Sequence, residues 1–206
     1  LGCTDTLAFN FNQEANTDDG SCIYESDDIY STIQVPSDYS TIQDAIDAAA
    51  SGDTILVDEN TYYENLNIPS NTDLTILSTG NREATIIDGM YNSRVMLVYS
   101  ELTLDGFTIR NGAQSNNGSG SGIYTNRNLT IRNSIIKDNY NNSDGGGIGQ
   151  NSSGSTLILE NVDLLNNESN GYGGGLFSSA TYVYLTNVNI LNNIDRYGGG
   201  GVSLIT

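Results

Sequence analysis

The chain has 206 residues, with 25 acidic side chains against 7 basic ones, a net charge of -18, and neither histidine nor tryptophan. Nucleic acid and anionic membrane surfaces are therefore excluded as natural partners, because both are bound through clustered lysine and arginine. Histidine is the commonest general base and metal ligand, so its absence removes the usual centre of an active site. No run approaches the roughly 18 consecutive apolar residues of a membrane span.

The chain begins with an acidic stretch, residues 1–24, that holds Cys3 and Cys22. The stretch is too poor in apolar side chains to form a core, so the two cysteines predict a disulfide formed in an oxidising compartment. The stretch resembles the GCTDPxAxNYNPxAxxDDGSC module of secreted proteins from marine Bacteroidetes, and departs from it at Thr6 and Phe11. The resemblance implies a small disulfide-closed appendage on a secreted or cell-surface protein.

Carboxylate and amide side chains of this module are candidate ligands for a calcium ion, which takes six to eight oxygens. They are Asp5, Asn10, Asn12, Asp18 and Asp19. Their spacing is not that of an EF-hand loop, which would end in a bidentate glutamate. The alternative is a solvated acidic loop that is closed only by the disulfide.

Residues 25–38 are predicted to be an acidic linker that runs into an extended segment at residues 33–36. A helix is predicted over about residues 41–50, because Ile42, Ala45, Ile46 and Ala49 have helical spacing after a Ser or Thr N-cap. One apolar face on so short a helix must cover another part of the protein.

This helix and the strand after it read TIQDAIDAAASGDTILV, and ATIIDG follows at residues 84–89. The pattern resembles the entry to right-handed parallel β-helices of the pectin-lyase-like superfamily, in which a helix covers the N-terminal end of the solenoid. The resemblance covers residues 39–206, and departs from the superfamily at residues 58–60, where a Pro-Gly turn is usual. It implies an all-β fold, and it specifies the fold better than any activity.

The second half repeats in one register, at residues 102–112, 129–139, 157–167 and 183–193. A period of 26 to 28 residues is typical of a solenoid. Each unit alternates apolar and polar residues, as in a strand with one buried face, and then shifts phase at a single Gly or Asn. A left-handed corner explains that shift. The sequence therefore predicts a parallel β-helix of about six coils over residues 39–206, and the resemblance implies that it is right-handed.

The register also predicts which side chains stack on successive coils. Two inward columns are expected: Leu102, Leu129, Leu157 and Val183, and Ile109, Ile136, Leu164 and Ile190. Two outward ladders are expected, one of charges and one of amides: Asp105, Arg132 and Glu160, and Asn133, Asn161 and Asn187. Exposed ion pairs contribute only a few tenths of a kcal/mol, so the ladders are interpreted as structural.

The pectin-lyase-like superfamily includes polysaccharide lyases, epimerases and hydrolases as well as adhesins. A lyase needs a base and a cation that neutralises the uronate carboxylate. Arg110 and Lys137 share one outward position on adjacent coils, with Asp138 and Tyr140 close by, and form the one candidate catalytic set. The next two coils carry leucine there, which favours ion pairing with neighbouring carboxylates over catalysis.

Tyr172 and Tyr197 occupy matching positions before two glycine runs. They are candidate glycan-binding residues, and the alternative is a cross-strand pair that only stabilises the sheet.

At the C-terminal end of the sequence, residues 200–206 stop inside a coil without a polar cap. Solenoids need capped ends, so this pattern predicts either a longer parent chain or end-to-end self-stacking.

Repetition without a distinctive catalytic cluster favours a non-catalytic secreted or cell-surface protein: an adhesin, a structural segment or a glycan-binding protein. Its expected partner is a polysaccharide or a cell-surface glycan, and calcium is its candidate cofactor. The alternative is the N-terminal part of a polysaccharide-active enzyme with catalytic coils elsewhere. An antifreeze protein ranks third, because no Thr-x-Thr column recurs on successive coils.

Overall fold

The computed structural model describes residues 1–8, 10–23, 30–114, 118–198 and 200–205. Its strands, numbered in chain order, stack in parallel into sheets. Sheet A contains β1 (Thr32–Val35), β2 (Thr54–Val57), β5 (Leu74–Ser78), β8 (Leu102–Asp105), β12 (Leu129–Arg132), β16 (Thr156–Glu160) and β20 (Tyr182–Thr186). Sheet B contains β3 (Asn60–Tyr62), β6 (Thr85–Asp88), β9 (Thr108–Arg110), β13 (Ile135–Lys137), β17 (Asp163–Leu165) and β21 (Asn189–Leu191).

Sheet C contains β4 (Leu66–Ile68), β7 (Met96–Val98), β11 (Ile123–Thr125), β15 (Ile148–Gln150), β19 (Leu176–Ser178) and β22 (Val202–Leu204). The short sheet D lies between sheets B and C in the chain and contains β10 (Ala113–Gln114), β14 (Tyr140–Asn141) and β18 (Glu168–Ser169). Over the described residues, six coils each give one strand to sheets A, B and C. The predicted parallel β-solenoid is therefore confirmed. The first coil is shorter than the later ones, since Thr54 pairs with Thr75, only 21 residues later.

The N-terminal end of the solenoid is covered by the helix α1 (Ile42–Ala48), as predicted. Its buried face consists of Ile42, Ala45 and Ile46. Thr41 is the N-cap, and its hydroxyl accepts a hydrogen bond from the Asp44 amide at 3.1 Å. The carboxylate of Glu64 accepts hydrogen bonds from the amides of residues 42 and 43 at 3.0 and 2.9 Å, so it also satisfies free donors of the first turn.

The predicted boundary between linker and solenoid at residue 39 is wrong, because β1 already pairs with β2 over its whole length, from Thr32 with Thr54 to Val35 with Val57. The solenoid sheet thus starts at Thr32, before the helix. The chain leaves sheet A after β1, forms α1 and returns to sheet A in β2. The acidic and polar composition of residues 25–38 did not reveal this pairing. Residues 25–29 of the predicted linker, and Tyr24 at the end of the predicted module, lie outside the described residues.

The core is the interior of the solenoid, filled by the predicted inward columns. Leu102, Leu129 and Leu157 are direct register partners and fully buried, as are Ile109, Ile136 and Leu164. Val183 and Ile190 pack against the same core but are only partly buried, because they lie on the last described coil. The column assignment is confirmed.

In each of the last four coils, two corners use the left-handed conformation. The predicted corner between sheets A and B has positive φ at Gly106 (88°), Asn133 (46°), Asn161 (56°) and Asn187 (53°). A second corner follows sheet B, with positive φ at Asn111, Asp138, Asn166 and Asn192. Asparagine tolerates this conformation better than other residues with a side chain, which explains why the repeat contains so much of it.

An asparagine ladder that was not predicted runs inside the second corner. Asn139 Nδ2 donates to Asn167 Oδ1 at 2.9 Å, and Asn167 Nδ2 donates to Asn193 Oδ1 at 3.0 Å. Asn139 and Asn167 are fully buried. The predicted outer ladder also exists, with Asn161 donating to Asn133 and Asn187 donating to Asn161. The inner ladder is the more important one, because buried polar groups are costly when they lose their partners.

No helix of the described residues is long and apolar enough to cross a membrane.

Candidate functional site

Arg110 and Lys137 are direct register partners on β9 and β13, as predicted. Arg110 is nevertheless committed to a structural contact, since its Nε donates to Asp88 Oδ2 at 2.7 Å. Lys137 Nζ lies 3.7 Å from Asp138 Oδ2. Both cations therefore neutralise carboxylates of the protein itself.

Asp88 is the buried partner of Arg110. Its side chain is 5% exposed, and both of its oxygens accept hydrogen bonds. Besides Arg110, the donors are the Met90 amide at 2.9 Å and Asn111 Nδ2 at 3.0 Å. Burial acts to raise the pKa of Asp88, but the hydrogen bonds from Met90, Arg110 and Asn111 outweigh it and hold the pKa below its usual value. The ionised carboxylate is thus part of the fold.

The other two candidate catalytic residues line one shallow cleft. Asp138 and Tyr140 border it together with Tyr91, Asn166 and Glu168, and its volume is about 250 Å³. Asp138 Oδ1 accepts from Asn166 Nδ2, and the Tyr140 hydroxyl accepts from Asn170 Nδ2 at 2.7 Å. The structure therefore brings Asp138 and Tyr140 together, while the Arg110 guanidinium is directed to Asp88.

Tyr172 and Tyr197 lie side by side, with ring centroids 5.7 Å apart and an interplanar angle of 44°. Their exposures of 47% and 64% leave large parts of both rings open to solvent. The Arg196 guanidinium lies 5.9 Å from the Tyr197 ring, at the outer limit of a cation–π contact. The pair thus offers an aromatic surface, as the sequence suggested, and its ligand stays a prediction.

In the N-terminal module, Cys3 and Cys22 form the predicted disulfide. The side-chain oxygen of every predicted calcium ligand accepts a hydrogen bond from a backbone amide of the module. The five residues are Asp5, Asn10, Asn12, Asp18 and Asp19. Across the described parts of the chain, no group of three or more acidic or cysteine side chains is placed to hold a metal ion. Calcium binding stays a prediction, which calorimetry on the intact protein would check.

One concave surface of the solenoid was not predicted. Two adjoining clefts of about 460 and 360 Å³ share Asp73 and Glu101. They lie where the chain passes from sheet C to sheet A on successive coils. We call the combined surface the edge groove; its main lining residues are Asp73, Tyr99, Glu101, Thr103, Asn128 and Ser155.

One side of the edge groove is a ladder of polar side chains that precede the strands of sheet A. Asp73 Oδ1 accepts from the Glu101 amide at 2.9 Å, and Glu101 Oε2 accepts from Asn128 Nδ2 at 3.0 Å. Asn128 Oδ1 then accepts from the Thr156 amide at 2.9 Å. Each side chain thereby bonds to the next coil, and the ladder runs parallel to the solenoid axis.

Beside this ladder lies a column of threonines on the outward face of sheet A. Thr54, Thr75, Thr103 and Thr130 are direct register partners, and all are partly exposed. The next outward column contains Leu77, Asp105 and Arg132. The described residues thus form a single Thr column without a second one beside it, which agrees with the predicted lack of a Thr-x-Thr array.

Tyr99 forms an aromatic wall of the groove, and its ring packs edge-on against Tyr124 at 6.3 Å. Tyr124 is braced in turn by Arg94, whose guanidinium lies 4.9 Å from the ring and whose Nε donates to the Gly120 carbonyl at 2.7 Å. Burial lowers the pKa of Arg94, although the neighbouring tyrosines oppose that shift. Packing against Tyr124 and Arg94 therefore holds the Tyr99 ring in place without a ligand.

Part of this groove was visible in the sequence. Threonine follows the first leucine in the units at residues 102 and 129, and Glu101 and Asn128 precede those leucines. The register is enough to align these residues in columns, but it does not show that the loops before sheet A leave a groove there.

No protein-family model matches this chain, and a search of curated proteins finds no match.

Proposed function

We propose that this protein is a non-catalytic, extracellular glycan-binding β-solenoid. The observation that carries the proposal is the edge groove, which is long, polar and aromatic on one wall. Carbohydrate sites combine a concave surface, a few placed hydrogen-bonding groups and an aromatic ring. The edge groove offers all three through Asp73, Glu101, Asn128 and Tyr99. The exposed Tyr172 and Tyr197 pair supplies a second aromatic surface for the same class of ligand.

An extracellular location is supported by the disulfide between Cys3 and Cys22, because such bonds persist in oxidising compartments. An adhesive or structural role at a cell surface agrees with this, since a glycan-binding solenoid would attach that surface to a polysaccharide.

The non-catalytic part of the proposal is supported by the contacts of Arg110. A lyase would need that cation free to neutralise a substrate carboxylate. Here it pairs with the buried Asp88, which would be left buried and unpaired if Arg110 turned away.

The proposal is tested by incubating the protein with alginate, pectate and insoluble neutral polysaccharides. We expect it to sediment with at least one of these polymers and to release no unsaturated product, followed by ultraviolet absorbance. A failure to bind any polymer would overturn the binding part. Turnover that disappears in Arg110→Ala or Lys137→Ala would overturn the non-catalytic part.

A further inference from the structure

We propose that the edge groove binds an uncharged, extended polysaccharide chain parallel to the solenoid axis, with about one sugar ring for each coil. This inference rests on the proposed function and adds the class of glycan, its direction and its site.

The direction follows from the order of the lining residues. Going along the axis, the groove is lined by Asp73 on one coil, Glu101 on the next, Asn128 on the third and Ser155 on the fourth. Neighbouring parallel strands are about 4.8 Å apart, which is close to the rise of one ring in an extended pyranose chain. A chain that follows the axis would therefore meet equivalent side chains at each ring, whereas a chain across the axis would leave the groove.

The chemical class follows from the charge of the lining. Asp73 Oδ1 and Glu101 Oε2 are used within the ladder, and each carboxylate has a second oxygen for which the structure describes no hydrogen bond within the protein. Carboxylates that accept from neutral hydroxyls make charge-assisted hydrogen bonds. A uronate would instead place its own negative charge beside them, on a protein of net charge -18. Arg127, which precedes Asn128, is the one cation among the described lining residues.

The remaining surfaces suit the same ligand. Thr75 and Thr103 line the groove, and a hydroxyl both donates and accepts, so it can pair with a sugar hydroxyl in either orientation. Tyr99 supplies a flat ring for the C–H face of a sugar at one wall. The groove thus combines acceptors, two-way hydroxyls and one aromatic ring, and it contains little that recognises an anion.

The test is affinity electrophoresis in native gels that contain a soluble mixed-linkage β-glucan, a galactomannan, a xylan, alginate or polygalacturonate. We expect retardation by at least one neutral polymer and none by the two uronates. Calorimetry with oligosaccharides of the active polymer should show affinity that rises up to about four rings, one for each lining coil, and then levels off.

Variants locate the site. Thr103→Phe places a large ring in the middle of the groove and should abolish retardation, whereas Thr61→Phe, at an outward position of sheet B, should leave it unchanged. Both replace threonine by another residue that favours strands, so both should fold. Glu101→Gln keeps an acceptor for Asn128 and should weaken binding about tenfold. Tyr172→Ala, on the second aromatic surface, distinguishes that surface from the edge groove.

The outcomes are distinguishable. Retardation by alginate or polygalacturonate alone would overturn this inference and leave the proposed function intact. Binding of a neutral polymer that survives Thr103→Phe but is lost in Tyr172→Ala would move the site and also overturn the inference. Absence of retardation by every polymer would overturn both proposals.

Discussion

The N-terminal module and the solenoid keep their chains folded in different ways. In the module, Leu7 is 85% exposed, and the described contacts are mostly short turns in which Asp and Asn cap amides two residues on. In the solenoid, Leu157 is 0% exposed and lies in a column of identical or similar side chains. The module therefore depends on one covalent bond, and the solenoid on a contact that every coil repeats with its neighbours.

This difference predicts where a substitution does damage. In the solenoid, one inward change affects the coils on both sides, while an outward change affects little. In the module, apolar side chains contribute little burial, so the disulfide should dominate.

The largest effect is expected in the column of Leu157. Leu157→Asp should lower the free energy of unfolding by about 5 kcal/mol, because it removes buried apolar surface and places an unpaired carboxylate in a dry core. Urea unfolding followed by circular dichroism measures it. Ile158→Asp is the matched control on the same strand, and should cost only about 1 kcal/mol because that side chain points outward. Equal losses would contradict the inward assignment.

The inner asparagine ladder should come next. Asn167→Leu has a similar volume, but it removes the acceptor of Asn139 Nδ2 and the donor to the Ile136 carbonyl. We expect a loss of about 3–4 kcal/mol in the free energy of unfolding, because several buried groups lose partners together. Asn189→Leu, at an exposed position of β21, should cost a few tenths of a kcal/mol and serves as the control. A small loss at Asn167 would mean that the ladder is not needed for stability.

The next effect is expected in the N-terminal module when its disulfide is removed. Replacing Cys3 and Cys22 by serine should destabilise the module by about 3 kcal/mol, since the bond closes a loop of about 20 residues. Limited proteolysis should then cut within residues 1–23, while the melting temperature of the solenoid stays the same. Wild-type protein in dithiothreitol should behave like the variant. A lower melting temperature of the solenoid would show that the module braces it.

Most of the fold could be predicted from the sequence because the solenoid repeats itself. Aligning Leu102 with Leu129 fixes the register, and the two inward columns, the corner between sheets A and B and the outward asparagine ladder follow from it. The disulfide was predictable for the opposite reason, since the segment has little else to hold it. Both predictions used information that is local or periodic.

Contacts that skip the repeat could not be predicted. Strand β1 pairs across the helix, and Glu64 caps a helix that begins 22 residues earlier. Arg82 reaches Asp163 at 2.7 Å over 81 residues of chain. Asn133 at the first corner and Asn139 at the second corner look alike in the sequence, yet one faces solvent and one the core. The edge groove depends on loop conformations that no periodicity encodes.

The smallest effect is expected at the carboxylate that holds Arg110. Asp88→Asn should lower the free energy of unfolding by about 2 kcal/mol at neutral pH, because the new amide group would face the donors of Arg110 and Asn111. Asp105→Asn is the matched control, since that carboxylate is only partly buried and accepts from Asn133. Its cost should be a few tenths of a kcal/mol.

The pH dependence of that cost distinguishes an ionised Asp88 from a neutral one. The pKa of Asp88 is lower in the folded protein than its usual value, so the unfolded chain takes up the proton first as the pH falls. The stability that the carboxylate contributes is therefore complete above the unfolded pKa near 3.9, and it is lost as the pH falls through the lower folded pKa. The difference between wild type and Asp88→Asn should shrink accordingly between neutral pH and about pH 3. Comparing the two proteins cancels the relief of charge repulsion that acid brings to a chain of net charge -18. A difference that is the same at both pH values would show that Asp88 is not held as an anion, and would return Arg110 to the candidate catalytic residues.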